Sequence, residues 1–201
     1  MSRPAVIFDR DGTLIDVLRD EETGAIFTAF HPSQLRWLPG AVEGLKLLAD
    51  AGFVLAVATN QPGVAKGHFS RAALDKTHAA MREFFASHGI TLAAIESCMH
   101  HPEGGPCGDA TLVGRCDCRK PKPGLINTLV DSLDLDVKRT WMVGDALSDV
   151  EAARNAGVQP LLVRADKRCE GCPLTNLPYP VRAGTLLELC RYIAGTQGAA
   201  P

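Results

Sequence analysis

The chain has 201 residues, of which 46% are hydrophobic and 22% are charged, and its formal net charge is −2 at pH 7. This length suffices for one globular domain with a sizeable core, and the absence of a long basic run argues against a nucleic-acid-binding protein. No apolar stretch approaches the roughly 18 residues that span a membrane, and the amino terminus lacks the apolar core of a signal peptide. We therefore expect a cytoplasmic protein, in which seven cysteines are better explained as metal ligands or catalytic groups than as disulfides.

Short apolar runs that end in polar residues predict five buried strands, at residues 6–8, 53–58, 93–99, 140–143 and 159–163. Between and after them, apolar residues at helical spacing predict helices that begin near residues 40, 70, 123, 150 and 185. Ser70, and Thr185 with Glu188, are typical capping residues. This alternation predicts an α/β fold, with a parallel sheet covered by helices on both faces and one domain over residues 1–201.

Three segments lack such periodicity. Residues 14–37 predict a flap or hairpin over the ends of the strands, and residues 100–120, which are rich in Gly, Cys and Pro, predict a loop. Residues 195–201 are expected to form a frayed tail.

The first predicted strand is followed by Asp9 and Asp11, one residue apart, and then by Gly12 and Thr13. Ligands of open α/β sheets bind at such carboxyl ends of strands. Two anions this close repel each other unless a cation or a shared proton intervenes, so the pair indicates a hard divalent cation such as Mg²⁺ and one carboxylate left for chemistry. The alternative is a solvated Asp-Gly turn.

Polar residues also follow the second predicted strand and precede a helix start. Thr59 and Asn60 follow the strand, where a hydroxyl and backbone N–H groups would bind a phosphate, the alternative being a simple turn. Arg119 and Lys120 precede the helix near residue 123 and would neutralise phosphate charge, the alternative being a solvated basic turn.

The fourth predicted strand runs into two further carboxylates, Asp145 and Asp149. Asp145 would complete the metal site with the first aspartates, and Asp149 would orient the metal ligands without binding the metal itself. The alternative is a helix cap followed by a first-turn acid.

Together these residues resemble a known family. Asp9-Arg10-Asp11-Gly12-Thr13 is similar to the Asp-x-Asp-x-Thr motif of the haloacid dehalogenase superfamily of phosphohydrolases. Thr59, Lys120 and the segment from Asp145 to Asp149 resemble the other three motifs, in order, so the resemblance covers about residues 5–165. It implies a Rossmann-like, doubly wound parallel sheet.

The resemblance also implies Mg²⁺-dependent hydrolysis of a phosphomonoester through an aspartyl phosphate. Asp9 would be the nucleophile, and Asp11 would be the general acid for the leaving alcohol and then the base for water. Thr59 and Lys120 would hold the phosphoryl oxygens. Mg²⁺ would be bound by the Asp9 carboxylate, the backbone carbonyl of Asp11, and Asp145.

A second set of candidate metal ligands consists of Cys98 and His100, followed by Cys116 and Cys118. Three thiolates and one imidazole suit a tetrahedral Zn²⁺ site, although the single-residue spacing within each pair is tighter than in zinc fingers. The alternatives are buried or idle thiols, or a site that includes substitute ligands from the same loop, Cys107 or His101.

Within the superfamily, the D-glycero-D-manno-heptose 1,7-bisphosphate phosphatases and the related histidinol-phosphate phosphatases carry a similar zinc loop. In both, the second cysteine pair runs into Arg-Lys-Pro, as Cys118-Arg119-Lys120-Pro121 does here. The resemblance implies that Cys98, His100, Cys116 and Cys118 are the ligands, that the zinc is structural, and that the loop at residues 98–118 serves as a minimal cap and steadies Lys120.

Three other cysteines remain. Cys169 and Cys172 form a Cys-x-x-Cys without a partner pair, which we interpret as a loop with spare thiols rather than a metal or redox site. Cys190 lies among the apolar residues of the last predicted helix and is expected in the core.

The heptose phosphatases resemble this chain best, because they share the segments at residues 59–63 and 65–69, and in them the equivalent of Arg119 contributes to substrate recognition. The chain departs from their pattern in a longer segment at residues 16–38, where they have a short Gly-Tyr-containing segment that contacts the sugar. It also departs at Ala146, where a lysine is common.

The resemblance therefore favours a heptose 1,7-bisphosphate phosphatase, on the route to lipopolysaccharide or another surface glycan. The alternatives are a phosphatase for histidinol phosphate or another small phosphomonoester, and a non-catalytic, zinc-stabilised binding protein. The expected partner is a small phosphorylated metabolite, with no nucleic acid and no membrane, and a monomer is the default.

Overall fold

The computed structural model describes residues 2–164 and 179–196 of the chain. The strands are β1 (Arg3–Phe8), β2 (Leu18–Arg19), β3 (Ile26–Phe27), β4 (Val54–Asn60), β5 (Leu92–Cys98), β6 (Leu135–Gly144), β7 (Gln159–Val163) and β8 (Arg182–Gly184). The α-helices are α1 (Ala41–Asp50), α2 (Gly63–Lys66), α3 (Arg71–Ser87), α4 (Gly124–Leu133), α5 (Leu147–Ala156) and α6 (Leu186–Thr196), and short 3₁₀ helices lie at Pro32–Gln34 and Ala110–Leu112.

Six of these strands form one parallel sheet in the order β5-β4-β1-β6-β7-β8. From β1 in the middle, the chain adds β4 and β5 on one side and then crosses over to add β6, β7 and β8 on the other. The direction of winding reverses between β1 and β6, and this is the position at which ligands bind in doubly wound folds. The predicted α/β class and doubly wound parallel sheet are confirmed.

Both faces of the sheet are covered, and β1 shows how the sequence divides between them. Val6 and Phe8 pack into a core with α1, α3 and α6, whereas Ala5 and Ile7 pack into a second core with α4 and α5. Because successive strand residues point to opposite faces, a continuous apolar run is required when both faces are buried. This explains why β1 has no polar residue among its last four positions.

The element boundaries agree with the predictions except at a few positions. Thr59 and Asn60, predicted to follow the second strand, are the last two residues of β4, and the fourth predicted strand extends over ten residues as β6. The flap segment contains an antiparallel hairpin of β2 and β3. Helix α2 and strand β8 were not predicted, because their four and three residues, respectively, are too few to show a periodicity of apolar residues.

The capping predictions are confirmed at both helices. The Ser70 hydroxyl accepts a hydrogen bond from the Ala73 N–H, and the Thr185 N–H donates to the Glu188 carboxylate at 2.8 Å. Residues 195 and 196, predicted to lie in a frayed tail, belong to α6, and residues 197–201 lie outside the described part of the chain. Cys190 is completely buried in the core, as predicted. A single domain over residues 1–201 stays a prediction.

Among the described residues, no helix combines the length and the apolar character needed to cross a membrane.

Candidate active site

The residues predicted for the site meet at the carboxyl ends of three neighbouring strands. Asp9 directly follows β1, Thr59 lies at the end of β4, and Asp145 directly follows β6. The Asp9 N–H donates to the Val143 carbonyl at 2.8 Å, which extends the ladder between β1 and β6 up to the site. The position of these side chains is therefore set by the sheet rather than by a mobile loop.

Lys120 reaches into this group from the loop before α4. Its Nζ donates to Asp9 Oδ1 at 2.7 Å and to the Ala58 carbonyl at 2.8 Å, and it lies 2.5 Å from Asp149 Oδ1. Lys120 is 4% exposed, Asp9 is 8% exposed and Asp149 is 1% exposed. Buried charges of this kind are tolerated only when they are paired, so the lysine and both carboxylates hold one another in place.

Asp145 joins the same group and leaves it with an excess of negative charge. One carboxylate oxygen from each of Asp9, Asp145 and Asp149 lies within 4.8 Å of the others. Lys120 neutralises only one of the three carboxylates. Oxygen ligands in such a cluster suit a hard divalent cation, and the donor set therefore fits Mg²⁺.

The titration of this cluster reflects the same imbalance. Burial raises the pKa of Asp9 to about 7, with Lys120 acting in the opposite direction and Asp149 adding to the rise. Burial, and then the neighbouring Asp149, raise the pKa of Asp145 to about 6. For Lys120, burial lowers the pKa, but Asp9 and Asp149 outweigh it, so the pKa of the ammonium is raised. Without a bound cation, the cluster thus retains protons that carboxylates on a surface would lose.

Two glycines of the motifs allow the carboxylates to approach this closely. Gly12 has a φ of +79°, and a Cβ at this position would lie 2.3 Å from Asp145 Oδ2. A Cβ at Gly144 would lie 2.4 Å from Asp149 Cγ. Any larger residue at either position would push the carboxylates out of the cluster.

Asp11 points into a different environment from Asp9. Its carboxylate accepts hydrogen bonds from Arg10, from the Thr28 hydroxyl at 2.7 Å and from Gln61 Nε2 at 2.7 Å. The Asp11 carboxylate lies outside the group formed by Asp9, Asp145 and Asp149. A metal contact through the Asp11 backbone carbonyl stays a prediction.

Four residues of this environment were not singled out from the sequence: Arg10, Thr28, Gln61 and His78. Arg10 lies between Asp9 and Asp11, and Gln61 follows Thr59 and Asn60, so a basic residue enclosed by the two motif aspartates was the available signal. Thr28 and His78 carry no local signal, because they meet Arg10 across 18 and 68 positions of the chain.

Thr59 and Asn60 are both engaged by other residues of the site. The Thr59 hydroxyl accepts from Gln61 Nε2 at 2.9 Å. Asn60 pairs with the backbone of Lys120 in both directions, since its Oδ1 accepts from the Lys120 N–H at 3.1 Å and its Nδ2 donates to the Lys120 carbonyl at 3.0 Å. This gives the Asn60 side chain a task other than the predicted contact with substrate: it fixes the backbone from which Lys120 extends.

The four predicted zinc ligands are brought together next to this backbone. The Sγ atom of Cys98 lies 3.1 Å from that of Cys118 and 3.7 Å from that of Cys116, and His100 Nδ1 lies 3.3 Å from the Cys118 sulfur. A tetrahedral zinc with Zn–S bonds of about 2.3 Å would hold its sulfurs about 3.8 Å apart. The donor set of three sulfurs and one imidazole nitrogen suits Zn²⁺, and the separation of Cys98 and Cys116 matches this geometry, whereas that of Cys98 and Cys118 is shorter.

Within residues 2–164 and 179–196, no other thiol or imidazole joins this group. Cys107 is exposed and lies outside it, and His101 Nδ1 instead accepts from the N–H groups of Glu103 and Gly104. Neither Cys107 nor His101, the substitute ligands that the sequence left open, therefore belongs to the candidate zinc site. Cys169 and Cys172 lie outside the described residues.

A cleft of about 360 Å³ adjoins the zinc loop and Lys120. Besides Lys120, three cationic residues line it: Arg115, Arg119 and Lys122. The Arg119 guanidinium lies 3.5 Å from the His100 carbonyl, which ties it to the zinc loop. In the flap, by contrast, the side chains of His31 and Arg36 form hydrogen bonds within their own segment.

Comparisons with known proteins agree with this architecture. The HAD-hydrolase-like family model matches residues 117–174. The chain is 35% identical over 189 residues to the D-glycero-β-D-manno-heptose-1,7-bisphosphate 7-phosphatase of Pseudomonas aeruginosa, covering 93% of both chains. It is 34% identical over 167 residues to the enzyme of the same name from Escherichia coli strain K12, covering 83% of this chain and 82% of that one.

The crystal structure of a D,D-heptose 1,7-bisphosphate phosphatase from B. bronchiseptica, complexed with magnesium and phosphate, is similar with a TM-score of 0.77 and 30% identity. The match covers 98% of this chain and 99% of that one. The fold, the acidic site and these relatives define a phosphatase of the haloacid dehalogenase class. Within that class, the chain belongs to the D-glycero-β-D-manno-heptose-1,7-bisphosphate 7-phosphatase family.

Proposed function

We propose that this protein hydrolyses a phosphomonoester through an aspartyl phosphate on Asp9, and that its substrate is D-glycero-D-manno-heptose 1,7-bisphosphate, from which it removes the C7 phosphate. The buried pair of Asp9 and Lys120 within an acidic cluster carries this proposal. It combines a nucleophile, a fixed cation for the phosphoryl oxygens and ligands for a divalent metal in one place.

In the first step, a carboxylate oxygen of Asp9 attacks phosphorus and the sugar hydroxyl leaves with a proton from Asp11. In the second step, Asp11 takes a proton from water, whose oxygen attacks phosphorus and releases inorganic phosphate from Asp9. Lys120 and Thr59 hold the phosphoryl oxygens throughout, and Asp149 keeps Lys120 charged and in place. The Asp9 carboxylate, the Asp11 backbone carbonyl and Asp145 would hold Mg²⁺, which when bound neutralises charge on the transferred group.

The group of Cys98, His100, Cys116 and Cys118 would hold a structural Zn²⁺. Four protein ligands leave no position open for water, so this metal would take no part in the chemistry. Instead it would fix the loop at residues 98–118, which ends two residues before Lys120 and serves as a minimal cap over the site. Arg119, which contacts this loop, would be oriented by the same metal.

A second phosphate on the substrate accounts for the cationic cleft beside the site. Arg115, Arg119 and Lys122 offer positive charge beyond the Lys120 that the reacting phosphate would use. A monophosphate such as histidinol phosphate would offer no second phosphate to these side chains. We also propose that the enzyme is a monomer and that it acts in the cytoplasm.

The decisive experiment measures phosphate release with Mg²⁺ and Zn²⁺ present from four compounds: the two anomers of heptose 1,7-bisphosphate, histidinol phosphate and 4-nitrophenyl phosphate. We expect the highest kcat/KM with one anomer of the bisphosphate, and release of only one phosphate per molecule. A preference for histidinol phosphate would show that the proposed substrate is wrong, while the proposed reaction would still hold.

Two variants complete this experiment. Asp9→Asn should abolish turnover while the fold is retained, with deamidation excluded by mass spectrometry, whereas Asp50→Asn, which changes an exposed carboxylate paired with Lys46, should be fully active. No phosphate release from any compound would favour a non-catalytic binding protein, and turnover by the Asp9→Asn protein would refute the nucleophile.

A further inference from the structure

Arg10 is an arginine without contact to solvent at the edge of the site, and the reaction proposed above assigns it no role. Its relative exposure is 0%, which is rare for a guanidinium and costly unless its N–H groups are bonded. It donates to both oxygens of the adjacent Asp11, through Nε at 3.0 Å and Nη2 at 3.1 Å. It also donates to the Ala29 carbonyl at 2.9 Å and to Gln61 Oε1 at 3.0 Å.

Because arginine only donates, it determines the orientation of each partner. The amide oxygen of Gln61 must face Arg10, so its Nε2 is turned toward Asp11 Oδ2 and Thr59 Oγ1, at 2.7 and 2.9 Å. His78 Nε2, 3.1 Å from Arg10 Nη1, must accept and therefore carries no proton. Burial, followed by the charge of Arg10, lowers the pKa of His78 to about 3, which keeps the ring neutral.

Thr28 completes the arrangement from the base of the hairpin. Its hydroxyl accepts from Arg10 Nη2 and donates to Asp11 Oδ1 at 2.7 Å. Both oxygens of Asp11 thus receive donors, and every donor is either Arg10 or a group that Arg10 orients.

We propose that Arg10 is a positioning residue, which holds the Asp11 carboxylate directly and through Gln61 and Thr28 in the orientation for proton transfer. The inference rests on the proposed function, since it concerns the carboxylate that would act as acid and base. Asp11 would give a proton to the leaving alcohol and later take one from water, and both transfers require its carboxylate to be correctly oriented. With a leaving group that needs no proton, only the hydrolysis of the aspartyl phosphate uses Asp11, so this step should depend on Arg10 more than the formation of the aspartyl phosphate does.

The test uses 4-nitrophenyl phosphate, whose leaving group needs no proton, and stopped-flow detection of 4-nitrophenolate with the metal-loaded protein. Arg10→Lys keeps a cation but loses the planar fork that bonds several partners at once. We expect the initial burst rate to change little, the steady-state rate to fall about tenfold to a hundredfold, and KM not to rise. Arg3→Lys is the matched control, because the Arg3 side chain donates to the Leu133 carbonyl at the opposite end of β1, away from the site.

A second pair of variants keeps the inference testable if Arg10→Lys does not fold. Thr28→Val removes one hydroxyl at nearly constant volume and should slow the steady-state phase in the same way, whereas Thr28→Ser should restore it. An unchanged steady-state rate in folded Arg10→Lys and in Thr28→Val, or an equal loss in both phases, would overturn the inference. Failure of the proposed function would differ, because the wild-type protein would then release no phosphate at all.

Discussion

The Lys120 ammonium lies 2.7 Å from the Asp9 carboxylate, although the two residues are separated by 111 positions of the chain. Asp9 is placed by the end of β1, and Lys120 by a loop whose backbone is fixed from two sides. Asn60 bonds that backbone, and the proposed zinc ligand Cys118 lies two residues before Lys120. The sheet and the loop before α4 thus converge on one site.

Replacement of Lys120 by methionine removes the charge but keeps most of the apolar stem. We expect kcat/KM to fall about a hundredfold to a thousandfold, because a fixed cation on the phosphoryl oxygens is lost. Lys120 opposes the rise in the pKa of Asp9. Its removal should raise that pKa further, so the acid limb of the pH–activity profile should move to higher pH at saturating Mg²⁺.

The control for this change is Lys46→Met, which removes an exposed lysine paired with Asp50. It should leave both the rate and the profile as in the wild type. An acid limb that does not move in Lys120→Met would contradict the assignment of that limb to Asp9.

The stability of the protein should respond to Mg²⁺ in a pH-dependent way. The pKa values of Asp9 and Asp145, about 7 and about 6, lie above the usual carboxyl value. A group whose pKa is higher in the folded than in the unfolded state stabilises the fold. This stabilisation is complete below the pKa of the unfolded state and is lost as the pH rises through the pKa of the folded state. The Mg²⁺-free protein should therefore lose stability from about pH 4 to pH 7.

Mg²⁺ binds the ionised carboxylates, so the stabilisation that it provides should grow over the same range. Thermal unfolding at pH 5 and pH 8, with and without Mg²⁺, measures the difference. A free Mg²⁺ concentration 100 times the Kd would add about 2.7 kcal/mol, which corresponds to a rise of several degrees in Tm. The shift should be larger at pH 8 and nearly absent in Asp145→Asn, and an equal shift at both pH values would refute the prediction.

The sequence predicted those parts of the molecule that local pattern determines. The apolar run of β1 breaks at Asp9, and that of β6 breaks just before Asp145, so the edge of the sheet at which polar residues meet could be inferred. The partners of Asp11 could not, because Thr28 and His78 come from elements whose position depends on tertiary packing. The pairing of Asn60 with the backbone of Lys120 could not be predicted either, because a side-chain amide that bonds a distant backbone leaves no pattern in the sequence.

Loss of one zinc ligand should weaken the enzyme without removing its nucleophile. In Cys116→Ser we expect the zinc content to fall well below one per chain and kcat to drop about tenfold, because the loop that presents Arg119 and Lys120 loses its fixed geometry. Cys107→Ser is the matched control, since this exposed thiol lies outside the group. Elemental analysis paired with phosphate release tests both variants, and a zinc-free protein with full activity would exclude a role for the metal.

Asn60 should act on catalysis through Lys120 rather than through the substrate. Asn60→Ala leaves the N–H and carbonyl of Lys120 without their partners, which costs about 1–3 kcal/mol for each buried group. Asn60→Asp should be worse than its size suggests, because a carboxylate oxygen would replace the amide nitrogen that donates to the Lys120 carbonyl. Both variants should lose kcat more than they raise KM.

A double-mutant cycle with Lys120→Met separates the two roles. If Asn60 only positions Lys120, then Asn60→Ala should lower kcat in the wild type but have little further effect once the ammonium is absent. A residue that contacts the substrate directly would instead show additive losses in the double variant. Urea unfolding of all four proteins accounts for any loss of stability, so strict additivity of kcat in folded proteins would show that the Asn60 side chain acts on the substrate itself.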